Sequence, residues 1–358
     1  MEGHKRQKIL IVSLSDSAGG AEQLLLMVAR TTDSQIIFLK KASSSRLFIH
    51  ETADKVRYLN SYSIFLGFLL LLKELVNYRS GFTIISSHPY LNAYLGLLKQ
   101  VGFLKSQLIT RECTSVFIRF SGFKRLTYKV AYLLGYRSIN LLICQTSQMK
   151  VQLLENLSFL EERKVLVCEN PVDLKFISRE SNLPTTDVIL GEQYICAAGR
   201  LIVLKGFDTL ILAFSAVLKC TDNIKLLILG EGTERRNLES LIDILGLKGK
   251  VILKGFVNNP YPYYKNAKVC VVSSINEGFP NVLLQMMALN ASVVSTRCAE
   301  GIADFETIRT VEVNNASQLA EAILQALEEK KNNIVNSNRR YILPRTPSCF
   351  VDLILSAV

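Results

Sequence analysis

Arg200 and Lys205 lie five residues apart in the stretch GRLIVLKGFD, directly after an apolar run. Two cations fixed on a strand-to-helix loop can hold a diphosphate and stabilise it as it departs, with no metal ion. An isolated pair of this kind serves equally well as two solvated surface charges. Glu277 stands in SSINEGFPNVLLQMMA, in the loop between a strand that ends at Ser273 and a helix that begins near Pro280. Pro suits a first helical position. A carboxylate there, taken alone, is more often a surface charge favoured by the helix dipole than a ligand group. Asn281, Gln285 and Ala288 share one face of that helix, which leaves Val282, Leu283 and Met286 to pack. Near the N-terminus, SDSAGGAE places Gly19 and Gly20 between a strand and a helix. They allow a tight turn and close approach of an anion to the helix start. The spacing is not G-x-G-x-x-G, so a plain turn fits equally.

The elements that must position these groups are short Val/Ile/Leu-rich runs, each followed by a segment of helical period. One set is Lys8–Ser13, Gln35–Leu39, Phe82–Ser86, Gln107–Thr110, Leu141–Gln145 and Val165–Cys168. A second is Tyr194–Ala198, Ile224–Leu229, Lys250–Leu253, Lys268–Ser273, Ala291–Ser295 and Thr310–Val313. The pattern predicts an α/β chain of two parallel-sheet domains, over residues 1–172 and 194–340. The polar stretch 173–193 would join them, and 341–358 would add a terminal segment able to pack back towards the first domain. Two such units facing one another would form a cleft at the C-terminal edges of their strands.

The 358 residues are 49% hydrophobic and 20% charged, which is a globular composition. The longest apolar run, Ile64–Leu72, is too short to span a bilayer, and a buried helix is expected there ahead of a membrane-inserting one. The opening MEGHKRQKILIVSLSDS lacks the long apolar region of a signal peptide, so a cytoplasmic protein is expected. None of the eight cysteines forms a CxxC pair, and Cys144, Cys168, Cys196 and Cys270 lie in apolar runs as reduced core residues. His4, His50 and His88 are not spaced as paired ligands, so no metal site is expected. The net charge of +11 is concentrated in residues 1–175, where 23 Lys and Arg face 13 Asp and Glu. That asymmetry calls for an anionic partner. Residues 115–137 interleave Phe117, Phe120, Phe123, Tyr128, Tyr132 and Tyr136 with Arg119, Lys124, Arg125, Lys129 and Arg137. The mixture suits the interface of an anionic membrane, with Arg119, Phe120, Phe123, Lys124, Arg125 and Lys129 as the facing residues, and equally suits apolar core positions flanked by solvated cations. The strand–helix alternation beside it argues against nucleic acid.

The second half resembles the family 4 glycosyltransferases of the polysaccharide-assembly type. It carries GRLIVLKGFDTLILAF, KLLILGEGTERRNLESL, VILKGFVNNPYPYYKNAKVCVVSS, EGFPNVLLQMMA and SVVST in the family's order. In the first half the resemblance rests mainly on GGAE. It implies the GT-B fold, two facing Rossmann-like domains with an inter-domain cleft. It also implies a nucleotide diphosphate sugar as donor, a glycan or polyprenyl-linked acceptor, retention of configuration and no cofactor or metal.

By the same resemblance Arg200 and Lys205 bind the donor diphosphate and Glu277 contacts the transferred sugar. Gly278, Phe279, Asn281 and Val282 would line the donor pocket, with Gly19 and Gly20 on its other side. Gln285 replaces the Glu that normally grips the ribose; an amide still bonds a diol but without charge assistance. The family's His after the strand ending ITRECTS is replaced by Arg111 and Glu112, and His88 is a further acceptor-side candidate. The same pocket would serve an epimerase or a phosphorylase, and the two departures leave a non-catalytic nucleotide-binding protein as the reading from another class.

Overall fold

In a computed structural model of the chain, which describes residues 8–17, 19–43, 47, 54–184, 187–290, 292–329 and 334–358, the apolar runs form two parallel sheets. His4, His50 and Ala291 lie outside the described residues. The chain divides into two compact units, one of residues 1–171 with 347–358 and one of residues 172–346.

The first unit runs β1 (Lys8–Ser15), α1 (Gly20–Thr32), β2 (Gln35–Lys40), β3 (Val56–Asn60), α2 (Ile64–Glu74), β4 (Phe82–Ser87) and α3 (Pro89–Gln100). It continues through β5 (Gln107–Arg111), α4 (Val116–Arg119), α5 (Gly122–Gly135), β6 (Leu141–Cys144), α6 (Ser147–Asn156) and β7 (Val165–Val167). The strand order is β3-β2-β1-β4-β5-β6-β7. Both faces of the sheet are buried, so its strands read as continuous apolar runs. Leu10, Val12, Ile37 and Leu39 point to the layer containing α2, α3 and α5. Ile11, Ile36 and Phe38 point to the layer containing α1. The edge strand β3, VRYLN, is the one the apolar-run criterion passes over, because it is only partly buried and carries Arg57 and Asn60. In the helix layer α3 and α5 touch backbone to backbone: a side chain on Gly96 would collide with the Gly135 carbonyl.

The second unit runs α7 (Leu174–Ser181), β8 (Tyr194–Ala198), α8 (Phe207–Val217), β9 (Lys225–Leu229), α9 (Arg235–Ile244), β10 (Val251–Gly255) and α10 (Tyr261–Asn266). After these come β11 (Val269–Val272), α11 (Asn281–Leu289), β12 (Val293–Thr296), β13 (Arg309–Val311), α12 (Ala316–Glu328) and α13 (Ile334–Ile342). The strand order is β10-β9-β8-β11-β12-β13. The helix α7, within the segment 173–193 read as a connection, belongs to this unit. Asp173 caps it by accepting from the Phe176 N–H at 3.0 Å, and Asn259 donates to the Glu180 carbonyl at 2.9 Å.

The last helix, α14 (Pro347–Ser356), belongs to the first unit, where it packs beside α1. Its Phe350, Val351 and Ile354 are buried, and side chains of that size contribute about 2 kcal/mol each on burial.

The run at Ile64–Leu72 is helical but not buried. In α2 Gly67 and Leu71 face the sheet, whereas Ile64, Phe65, Leu66, Leu69 and Leu72 are exposed. Among the described residues, this helix at the sheet's edge, over β2 and β3, has partners on one side only. The aromatic residues of 115–137 divide in the opposite sense. Tyr132 and Tyr136 are fully buried, Phe117 nearly so, Phe120 and Tyr128 stack on each other half-buried, and Phe123 is exposed.

Candidate active site

β8 and β11 are neighbours in the second sheet, so the loops leaving their C-terminal ends are neighbours too. After β8 the chain passes Gly199 and Arg200, makes a tight turn over Val203–Lys205 and enters α8 through Gly206 at φ +58°. After β11 it runs from Ser273 to Pro280 and enters α11. Pro280 lies one place before that helix rather than in its first turn. Two hydrogen bonds lace the loops and a third ties the second loop to β12. The Ser273 hydroxyl donates to the Lys205 carbonyl at 2.9 Å, the Ile275 N–H donates to the Leu204 carbonyl at 2.9 Å, and the Thr296 hydroxyl donates to the Ser274 carbonyl at 2.5 Å. Gly206 permits this approach, because a Cβ there would enter the Ser273 carbonyl oxygen.

Lys205 and Glu277, 72 positions apart in the chain, are ion-paired across these loops through Nζ and Oε1. The pair is about one-fifth exposed (18% and 20%), sheltered yet reachable. The same Oε1 accepts from the Ser274 hydroxyl at 2.8 Å, and the Glu277 N–H donates to the Cys298 carbonyl at 2.9 Å. Burial, followed by the nearby Glu277 charge, pushes the Cys298 thiol up to about 12, so it stays protonated. Arg200 opens the same loop; it is exposed and makes no ion pair among the described residues. Gly278 and Phe279 sit half-buried in the second loop, and the Phe279 ring packs on Phe305 and lies under Arg345. Asn281, Val282 and Gln285 are half-buried on α11. The arrangement offers one cation in a fixed place, a second on the same loop, and a carboxylate oriented by a hydroxyl and a peptide bond. Ser273, Ser274 and Thr296 set those positions. Sequence reasoning passed over them, and the one available signal was that polar residues end two otherwise apolar strands.

The first-unit candidates lie at the C-terminal ends of β1, β4 and β5. Gly19 precedes α1 and Gly20 is its first residue. His88 links β4 to α3 at φ +123° and ψ +117°, a backbone conformation seldom taken by a residue with a Cβ. Arg111 and Glu112 follow in β5 and just after it, and both are buried. The Glu112 carboxylate accepts from Tyr136 at 2.5 Å and Tyr132 at 3.0 Å. Arg111 donates to Asn170 at 2.5 Å and to the Cys113 sulfur at 2.9 Å. Asn92 ties the group together, donating to the Arg111 carbonyl at 3.2 Å and accepting from the Ser86 hydroxyl at 2.7 Å. Burial pushes the Glu112 carboxyl up to about 7, more than these hydrogen bonds and Arg111 pull it down. Glu112 therefore faces α5 inside the unit, and His88 is the acceptor-side candidate with an accessible surface.

On the helix layer Arg119, Lys124, Arg125 and Lys129 are exposed on α4 and α5, beside exposed Phe123 and half-buried Phe120. Lys124 and Arg119 both sit over the Phe120 ring, at 4.4 and 5.3 Å.

With this geometry in view, residues 192–329 match the family described as Glycosyl transferases group 1. The second unit is a group 1 glycosyl transferase domain. Over 244 residues the chain is 31% identical to a Campylobacter jejuni protein, N-acetylgalactosamine-N,N'-diacetylbacillosaminyl-diphospho-undecaprenol 4-alpha-N-acetylgalactosaminyltransferase, covering 66% of this chain and 65% of that one. Over 139 residues it is 34% identical to LpsE, a lipopolysaccharide core biosynthesis glycosyltransferase of Rhizobium meliloti, covering 38% and 39% of the two chains. The chain thus spans less than two thirds of either relative. Among solved structures, HepE of Anabaena in complex with UDP and glucose superposes with a TM-score of 0.79 at 20% identity, over 98% of both chains. Sucrose-phosphate synthase of Thermosynechococcus elongatus does so at 0.72 and 19%, over 97% of both. The group 1 domain and the unit before it therefore have the GT-B fold.

Proposed function

We propose that the chain is a retaining, metal-independent glycosyltransferase. It would move a sugar from a nucleotide diphosphate donor, of UDP or GDP type, to a lipid-linked glycan in cell-surface polysaccharide or lipopolysaccharide assembly. The observation that carries this reading is the Lys205–Glu277 pair, held by laced loops with Arg200 on the same strand-to-helix turn of a group 1 domain. Arg200 and Lys205 would hold the diphosphate and neutralise it as the bond from the sugar's anomeric carbon to the phosphate oxygen breaks. Glu277, fixed by Ser274, would orient the sugar hydroxyls. The acceptor oxygen would bond to the anomeric carbon on the departing face, passing its proton to the leaving phosphate. HepE, whose structure holds UDP and glucose, supports a UDP donor, and the Campylobacter relative, named for a diphospho-undecaprenol substrate, supports a lipid-linked acceptor. The cations of α4 and α5 would draw the first unit to an anionic membrane at its cytoplasmic face.

The test is a panel of nucleotide sugars, scored by thermal stabilisation and by slow donor hydrolysis. One donor is expected to stabilise the wild-type chain, and Lys205→Ala and Glu277→Ala are expected to abolish turnover of that donor. Turnover unchanged in both variants would remove the transferase reading in favour of a non-catalytic nucleotide-binding role.

A further inference from the structure

We propose that α2 and α5 form a surface of the first unit that enters the hydrocarbon edge of a lipid bilayer, with α2 as the inserting element. This rests on the membrane reading of α5 and adds a hydrophobic component with its own residues. In α2 and the turn that follows it, Phe65, Leu69, Leu72 and Val76 recur at helical spacing and all face solvent, Phe65 being 76% and Leu69 57% exposed. In α5, Phe123, Leu126, Val130 and Leu133 form a second outward stripe, Phe123 being 81% and Leu126 55% exposed. An ordinary surface helix turns such a stripe inward; here two turn it outward.

Both helices belong to one layer. Phe68 of α2 meets Tyr94 of α3 edge-on at 5.0 Å, and Tyr90 of α3 stacks on Tyr128 of α5 at 4.7 Å. Charge decides what covers the layer. The helices α2 to α5 carry Lys73, Lys99, Arg119, Lys124, Arg125 and Lys129, against a single acid, Glu74, which is nearly buried and paired with Arg57. A second copy of the same face would bring like charges together, whereas anionic headgroups over an apolar interior complement both features.

The chain contains no tryptophan, so Phe65→Trp gives a single indole fluorophore on α2, and Ile244→Trp gives one on an exposed site of the second unit. With vesicles of phosphatidylcholine and phosphatidylglycerol, the emission of the Phe65→Trp variant is expected to shift to the blue and to be quenched by brominated acyl chains, whereas that of Ile244→Trp is not. In co-sedimentation, Phe65→Ser with Leu69→Ser is expected to lower partitioning at least tenfold on phosphatidylcholine alone and to leave a salt-sensitive remainder on the anionic vesicles. Lys124→Gln with Lys129→Gln is expected to remove that salt-sensitive part and to leave binding to phosphatidylcholine unchanged. The lysine pair losing binding while the α2 pair binds as wild type would overturn the insertion and keep the electrostatic reading. A self-associating wild-type chain that the α2 pair renders monomeric, with no brominated-lipid quenching, would assign the face to a second copy instead. Unchanged circular dichroism of each variant guards against misfolding, which the exposed positions make no reason to expect.

Discussion

Gly206 and Gly246 share a left-handed backbone, at φ +58° and +67°, but not a neighbourhood. Among the described residues, no atom beyond its chain neighbours lies within 4 Å of the place a Cβ would take on Gly246, whereas on Gly206 that place is filled by the Ser273 carbonyl oxygen. Alanine costs about 1 kcal/mol at either position for the backbone conformation alone. At Gly206 the β11 loop must also retreat by roughly 1 Å to restore an ordinary carbon–oxygen contact. That retreat breaks the Ser273–Lys205 and Ile275–Leu204 hydrogen bonds, each worth about 1 kcal/mol. Gly206→Ala is therefore expected to destabilise the second unit by about 3 kcal/mol and Gly246→Ala by about 1 kcal/mol, measured by urea unfolding monitored by circular dichroism. Because the same bonds anchor Lys205 beside Glu277, Gly206→Ala is also expected to lose donor-induced thermal stabilisation, and Gly246→Ala to keep it. Equal costs for the two substitutions, with donor response intact in both, would refute the claim that contact between these loops builds the site.

Gln285→Glu restores a carboxylate to α11 and is expected to lower the KM for the donor about fivefold with kcat little changed, the equivalent of about 1 kcal/mol of charge assistance. Glu112 sets a pH dependence. Its carboxyl titrates near 7 in the folded unit and near 4.5 when unfolded, so between those values the folded state holds a proton the unfolded state lacks. That stability is complete below the lower value and is lost as pH rises through the upper, a change of about 3 kcal/mol. Hydrogen exchange of α5 amides between pH 5 and 8 is expected to show this slope in the wild type and to flatten in Glu112→Gln; equal slopes would remove Glu112 as its source.

The second unit was the more legible of the two. Its strands are short apolar runs because both faces of a parallel sheet are covered, and Arg200, Lys205 and Glu277 declare themselves by standing just after two of them. Their meeting follows once β8 and β11 are neighbours, although the hydroxyls that fix Lys205 and Glu277 are marked only by polar residues standing at the ends of two apolar strands. The first unit misled where burial depends on distant packing. Ile64–Leu72 has the composition of a core helix, yet it lies over the sheet's edge, with no element among the described residues covering its outer face. Tyr132 and Tyr136 share the spacing of interfacial aromatics, yet they turn inward because Glu112, a carboxylate at the end of β5, needs two hydroxyl donors. No local pattern specifies that need, since the acid lies 20 and 24 positions from its partners.

The helix Pro347–Ser356 has a consequence for how the polypeptide matures. It covers part of the sheet begun by β1, so that layer stays open until the ribosome has finished everything between Val172 and Thr346. The group 1 domain can therefore reach its native form while the preceding domain still awaits its closing segment, the reverse of the usual order of synthesis. A nascent chain at that stage shows chaperones a greasy strip beside α1, and dividing the gene between codons 171 and 172 would leave that strip bare for good.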